Sequence, residues 1–348
     1  MKVTIKDVAE RAGVSIATVS RVINNSDQVS ALVREKVLEV IEELEFRPNP
    51  VARSLVMKKS HLIGVVVPDM SSYFFGEIMN GIEEITRTYQ YDIIVCNTRG
   101  NHELERHYLD LFYAKQVEGI IFMSWKLENS VVEHITKIDI PVVMVNRNTS
   151  KLTIPSVSID NYKAAYELTH YLLNKGHKKI ALIRNSIDVD AFGLEQYKGY
   201  KQALTEHEIE VNKNYVRYGD FSIENSYQIV KSFIKEKDIP TAIFATSDVM
   251  AIGAINALKD SGYQVPEDVS VVAFNDIRLA SIYRPKLTVI HQPLFNIGTV
   301  AVKMIIDRIK GEKSGDNIVI LPHSLIERES CAECKKEEKV SVIYGEEE

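Results

Sequence analysis

A chain of 348 residues with 45% hydrophobic side chains is long enough for two domains and apolar enough to give each a core. Its longest apolar runs, Leu62 to Val67 and Ile140 to Val145, fall far short of the ~18 residues of a membrane span, and the N-terminus lacks the apolar stretch of a secretion signal, so a cytoplasmic location without membrane contact is expected. Three cysteines exclude a disulfide scaffold, and a net charge of −6 taken whole speaks against nucleic acid as a partner.

The charge is unevenly spread. Residues 1 to 60 carry ten Lys and Arg against eight Asp and Glu, a net of +2, which leaves −8 for the rest. Five of those eight acids crowd between Glu35 and Glu45, so the remainder of the head is clearly basic. Thr4 with Asp7 three residues on has the spacing of a capping box and starts a helix over Ile5 to Ala12. Gly13 can adopt the left-handed conformation that ends it, and Ser15 then caps a second helix with Ile16, Val19, Val22 and Ile23 as its apolar set. Ser30 starts a third helix with Val33, Val37, Val40, Ile41 and Leu44 at buried-stripe spacing, ending before Arg47-Pro48. Two short helices across a glycine turn with a third behind them form a helix-turn-helix, although any small three-helix bundle shares that outline. Ser15, Thr18, Ser20 and Arg21 on the second helix are the small and phosphate-competent groups that a major groove admits.

Asn49 and Pro50 then start a helix of about eight residues, too short to stand alone in water, with Val51 and Leu55 at i and i+4 and Arg53, Lys58 and Lys59 beside them. From His61 the pattern becomes alternating strands and helices. Strands are expected at Leu62–Val67, Ile93–Cys96, Gly119–Met123 and Val142–Val145, and again near Lys179–Arg184, Thr241–Thr246 and Val269–Phe274. Helices are expected near 74–90, 103–115, 129–137, 161–176, 193–207, 224–236 and 248–262, then Pro293 to Lys310, with a late strand at Ile318–Leu321. Such repeated alternation gives two α/β lobes with parallel sheets and a ligand cleft between them.

No Walker loop, dinucleotide fingerprint or nucleophile elbow is present, so an enzyme is not expected. His102 and His107 lie about 140° apart around a helix, which argues against a metal site. The lone Cys331-x-x-Cys334 pair in a polar tail leaves open a shared zinc site or a redox pair. Tyr73, Phe74, Tyr197 and Phe221 follow strand ends, where core packing and pocket lining are both open to them.

The head and hinge carry a specific run of motifs: Thr4-Ile5-Lys6-Asp7-Val8-Ala9, Ala12-Gly13-Val14-Ser15, Thr18-Val19-Ser20-Arg21-Val22-Ile23-Asn24, Arg47-Pro48-Asn49 and Ala52-Arg53-Ser54-Leu55. Further along come Gly176-His177, Asp248-Val249-Met250-Ala251 and Pro266-Glu267-Asp268-Val269-Ser270-Val271. In this order they resemble the lactose-repressor (LacI/GalR) family of bacterial transcription regulators over residues 1 to about 330. The resemblance implies an all-α helix-turn-helix DNA-binding domain at 1–48, a hinge helix at 49–60, and a two-lobed, periplasmic-binding-protein-like core at 61–330 for effector binding and dimerisation. Its N-lobe would span about 61–160 plus 293–322 and its C-lobe about 161–290 plus 323–330, with a polar tail at 331–348.

By that resemblance a homodimer, in all expectation a repressor, reads a pseudo-palindromic double-stranded operator. Ile16 and Ala17 would meet base edges or thymine methyls, Arg21 a guanine, and Leu55 would wedge into the minor groove. Thr4, Ser15, Thr18, Ser20, Asn24, Asn49, Ala52 and Arg53 would position the backbone. The effector site would be lined by Tyr73, Phe74, Asn146, Arg147, Asp160, Gln196, Phe221, Asp248 and Asn275. Gln196 stands where relatives carry an Arg and Asn275 where they carry an Asp, which leaves a more neutral pocket, suited to a sugar or a weakly held sugar phosphate, or unused. No further cofactor is implied.

Within the family the likeness is greatest to the carbon-catabolite-control branch, through stretches such as Lys115 to Ser124 and Tyr197 to Lys201. That branch implies a corepressor, the serine-phosphorylated phosphocarrier HPr, against Phe295, Asn296, Lys303 and Arg328. Asp307 stands where that branch has a cation, and a carboxylate there repels a phosphate. The rival reading is a cytosolic sugar-binding or interaction module without DNA function; a sugar-modifying enzyme on the same frame has no catalytic constellation behind it.

Overall fold

The computed structural model describes residues 3–24, 27–46, 59–146, 154–185, 191–312 and 316–335. Asn49, Ala52, Arg53, Leu55 and Arg147, with most of the 49–60 hinge segment, lie outside them. The chain divides into two compact units, Met1–Ser60 and His61–Glu348.

In the first unit α1 (Ile5–Ala12), α2 (Ile16–Ile23) and α3 (Ala31–Glu43) close on a small core of Val8, Ala9, Ala12, Val19, Val22, Val37 and Val40. Gly13 ends α1 at φ +65°, where a side chain would be strained. Ser15 caps α2 by accepting from the Thr18 amide at 3.1 Å. At α1 the carboxylate of Asp7 accepts from both the Thr4 amide and the Thr4 hydroxyl at 2.8 Å. The capping box expected at Thr4 and Asp7 is thus present in both directions, with the Thr4 hydroxyl also donating to the Asp7 carboxylate. Ser30 precedes α3 without a side-chain cap bond.

The second unit holds two six-stranded sheets of the same winding. In the first the order is β2 (Asp92–Asn97), β1 (Leu62–Val67), β3 (Gly119–Phe122), β4 (Val142–Val145), β5 (Ser156–Ile159) and β11 (Ile318–Leu321), all parallel. In the second it is β7 (Val216–Gly219), β6 (Ile180–Asn185), β8 (Ala242–Ala245), β9 (Ser270–Asn275), β10 (Thr288–His291) and β12 (Ser324–Ile326), with β12 antiparallel to β10. Among them run α4 (Tyr73–Thr88), α5 (His102–Ala114), α6 (Asn129–Lys137), α7 (Asn161–Asn174), α8 (Ala191–Glu206), α9 (Ile223–Glu236), α10 (Asp248–Asp260), α11 (Arg278–Ile282) and α12 (Leu294–Ile309).

The strands are apolar on both faces because helices cover both. In the first lobe Ile63, Val65 and Val67 face α4 and α12, while Val66, Ile120 and Phe122 face α5 and α6. The chain passes between lobes three times, at Asp160, at Gln292–Pro293 and at Pro322–His323, between elements of opposite sheets.

Three expectations are corrected. The strands β5, β7, β10 and β12 do not stand out in the sequence, because their short runs Ser156-Val157-Ser158-Ile159, Val216-Arg217-Tyr218-Gly219, Thr288-Val289-Ile290-His291 and Ser324-Leu325-Ile326 are interrupted by polar residues or too brief, unlike the wholly apolar four-residue β4 and β11. The sheets are not purely parallel, since the last crossing returns the chain along β10 in the opposite sense. The polar tail does not begin at 331. Cys331 is buried in the core, Ala332 is bonded through its amide to Ser270 and its carbonyl to His177, and the Cys334 amide donates to Lys175 at 2.8 Å. Burial pushes the Cys331 thiol up, away from the thiolate that zinc or thiol exchange requires.

Candidate functional site

Two surfaces combine unusual exposure with a chemical purpose. The first is the outer side of α2. Val19 and Val22 point into the head's core, which turns Ser15, Ile16, Ala17 and Arg21 outward as exposed residues, with Thr18, Ser20 and Asn24 partly covered. Ile16 is 49% exposed at the first turn, a cost in water that contact with an apolar group would remove. The hydroxyls of Ser15 and Thr18 lie 2.9 Å apart, and the Asn24 amide reaches Ser20 Oγ at 3.4 Å, so the polar groups along this side are held in place. Thr4 is occupied at the cap of α1.

The second is a cleft of about 300 Å³ between the lobes, at the carboxyl ends of both sheets, where open α/β folds place ligands. Tyr73, Phe74, Asn146, Gln196, Phe221, Asp248 and Asn275 line it as the sequence suggested. Asp160 does not. It caps α7 by accepting from the Lys163 amide at 2.9 Å. Tyr197 is also elsewhere, its ring 5.4 Å from the buried guanidinium of Arg184.

The cleft further contains Asp69, Trp125, Asn161, Glu224, Thr246 and Gln292, which sequence reasoning missed. Asp69, Trp125 and Thr246 lie two, three and one residues past the ends of β1, β3 and β8, so the loops after those strands would have pointed to them. Asn161 and Gln292 sit at interlobe crossings, which pairing with the unrecognised β5 and β10 defines. Gln196 and Asn275 do line the cleft, and with them stand Asp69, Glu224 and Asp248; among the described lining residues there is no Lys or Arg, Arg147 lying outside them.

Five buried oxygens in this lining have no hydrogen-bond partner: Asn146 Oδ1, Asn161 Oδ1, Thr246 Oγ1, Asp248 Oδ1 and Gln292 Oε1. Each such group left dry costs ~1–3 kcal/mol, so the lining is arranged for donors brought by a ligand or by water. Asp248 is fully buried and its other oxygen accepts from the Ile277 amide at 3.1 Å. Burial pushes its carboxyl up to about 8, and nearby Asp276 pushes the same way. Backbone strain marks the same place. Asn146 (φ +55°), Phe221 (φ +62°) and Asn275 (φ +111°) all occupy left-handed conformations, which bulky Phe rarely adopts. Trp125 from the N-lobe and Phe221 from the C-lobe face each other with ring centroids 6.3 Å apart.

Of the residues suggested for a protein corepressor, Phe295, Asn296 and Lys303 are exposed along α12, and partly covered Asp307 is one turn beyond Lys303. Arg328 is not on that face. Its guanidinium holds Asp276 at 2.7 Å and the Leu287 carbonyl at 2.9 Å, with the side chain 16% exposed, so it is spent inside the C-lobe. Among the described residues no helix is long and apolar enough to cross a membrane.

Comparison with known proteins places both surfaces in context. Residues 4–49 match the family described as bacterial regulatory proteins, lacI family, and residues 60–329 that of the periplasmic binding proteins and sugar binding domain of the LacI family. The chain is 41% identical to catabolite control protein A of Priestia megaterium over 330 residues, 95% of this chain and 99% of the relative. It is 40% identical to the HTH-type transcriptional regulator RegA of Clostridium saccharobutylicum, over 95% and 99% of the two chains. Among solved structures it is similar to the Lac repressor dimer bound to operator and an anti-inducer, at 29% identity and a TM-score of 0.87 over 95% of this chain and 100% of that one. The transcriptional regulator CelR in complex with cellobiose gives a TM-score of 0.72 at 29% identity, over 94% and 99%.

Proposed function

The chain belongs to the LacI family of bacterial regulatory proteins, and from that premise we propose how its two units divide the work. It is a DNA-binding transcription regulator, not an enzyme, and acts on operator DNA as a dimer. The match of residues 4–49 sets aside the reading of a sugar-binding module without DNA function.

The outer side of α2 enters the major groove. Ile16 and Ala17 lie against base edges or thymine methyls, Arg21 reaches a guanine, and Ser15 and Thr18 set the backbone register. The observation that carries this is the exposed, capped first turn of α2, apolar at Ile16 and cationic one turn on at Arg21. Leu55 of the hinge is the minor-groove wedge, supported by its place in the Ala52-Arg53-Ser54-Leu55 motif.

The interlobe cleft takes a hydroxyl-rich effector, supported by its five unpartnered acceptors and aromatic walls. A sugar phosphate is disfavoured by the three carboxylates. Control by phosphorylated HPr is disfavoured as well, because Asp307 stands beside Lys303 and Arg328 is committed to Asp276. The effector shifts lobe closure and with it operator affinity, on the ~5- to 150-fold scale of allosteric coupling. The protein works in the cytoplasm as a repressor.

A binding-site selection with the full-length protein tests the DNA reading. Arg21→Ala is expected to relax preference at one base pair in each half-site, a loss of ~1–3 kcal/mol of discrimination. An unchanged consensus would remove Arg21 from the reading face.

A further inference from the structure

We propose that the cleft recognises a hydroxyl-rich ligand bearing a protonated amine, an amino sugar in kind, with its ammonium group on Asp248. This rests on reading the cleft as an effector site.

Charge is the first ground. Asp69, Glu224 and Asp248 line the cleft without a described Lys or Arg to balance them, so an anionic ligand enters against repulsion and a cation with attraction. Asp248 is the decisive group because it is the one wholly withdrawn from water. Its Oδ2 takes the Ile277 amide, and its Oδ1 is left without a donor. Arg328 acts on Asp248 only through space, its guanidinium being bonded to Asp276, so among the described residues no cationic side chain pairs with Asp248 directly. With one oxygen free, no pairing cation among the described side chains and a carboxyl that burial raises to about 8, Asp248 is largely protonated until a ligand supplies the cation, and then gives up that proton.

Donor count is the second ground. An ammonium group has three donors and accepts nothing, whereas a hydroxyl both donates and accepts. Asn146, Asn161 and Gln292, all in the lining, each have a buried amide oxygen with no partner, and Thr246 adds a hydroxyl oxygen. That surplus of acceptors exceeds what one ammonium can satisfy, so the rest of the ligand must bring several more O–H donors. Trp125 and Phe221, one from each lobe, supply aromatic faces that suit both a cation and the C–H face of a sugar ring.

Trp125 is the one tryptophan in the sequence, so its fluorescence reports on the cleft directly. The full-length protein is titrated at a pH below ~7.7, where an amine of the α-amino class is charged, with three matched pairs: glucose and glucosamine, galactose and galactosamine, mannose and mannosamine. In at least one pair the amino member is expected to bind tenfold or more tightly, and Asp248→Asn narrows that ratio. Glu224→Gln, at an exposed position that does not threaten folding, lowers the ratio by a smaller factor. Neutral members binding as tightly as their amino partners overturns the amine assignment and leaves the effector reading standing. A ratio unchanged in both variants overturns it too. If none of the six sugars moves the fluorescence or the melting temperature, the amine proposal and the sugar-effector reading fall together.

Discussion

His177 shows how far one buried side chain reaches. It is 3% exposed, with Nδ1 3.1 Å from the Thr241 hydroxyl and Nε2 3.0 Å from the Ala332 carbonyl, so it ties the start of the C-terminal segment to the C-lobe. Burial holds its folded-state pKa below the ordinary value near 6.5. At higher pH neither the folded nor the unfolded chain carries a proton there, and its contribution to stability is complete. As pH falls below ~6.5 the unfolded chain takes the proton first and stability is lost. Urea midpoints measured from pH 7.5 to 5 are expected to decline in the wild type and to decline less in His177→Gln; parallel curves would show that His177 does not carry the dependence. Residues of this kind divide by how local their cause is. Gly13 and Ser15 were legible in the sequence because a turn and a cap depend on neighbours within three positions. The loop after β3 is legible too, but that its Trp125 meets Phe221, almost a hundred residues away and on the other lobe, is not.

Among the elements, α4 and α12 cross at a mutual notch. A Cβ on Gly298 would lie 2.2 Å from the Ile78 carbonyl oxygen, and one on Gly81 would lie 2.1 Å from that of Phe295. Both obstacles are backbone, which cannot rotate aside, so the helices approach this closely only over glycine. Gly298→Ala is expected to lower stability by ~1–3 kcal/mol, more than the ~0.5–1 kcal/mol by which alanine favours a helix. Gly76 in α4 meets nothing within 4 Å, so Gly76→Ala should be neutral to stabilising. Chemical denaturation of the two variants checks the contrast, and equal effects would refute the notch. The helices, apart from the five-residue α11, were legible from their periodic apolar faces. The four missed strands are short and mix polar with apolar residues, so no continuous apolar run marks them. They are held by neighbours on the sheet rather than by their own sequence.

For the molecule as a whole, the two compact units, Met1–Ser60 and His61–Glu348, have unequal means of stability. A unit of about 60 residues buries a smaller fraction of its surface than a larger one and is correspondingly marginal. Differential scanning calorimetry is expected to resolve two transitions, the lower from the head and raised by operator DNA, which binds only its folded form. A single cooperative transition would contradict this. The net charge of −6 also takes its meaning at this scale: an acidic core carrying a basic head repels DNA except where the head offers α2, which favours specific over indiscriminate binding. By itself the sequence determined the helix-turn-helix, the βα winding and the family, because caps, turns and helical faces are written in residues a few places apart. Only the tertiary structure decided the character of the cleft. Asp69, Trp125, Asn161, Glu224 and Gln292 come from five separate stretches of chain, and whether a carboxylate is buried, paired or left to a ligand depends on what folding brings beside it.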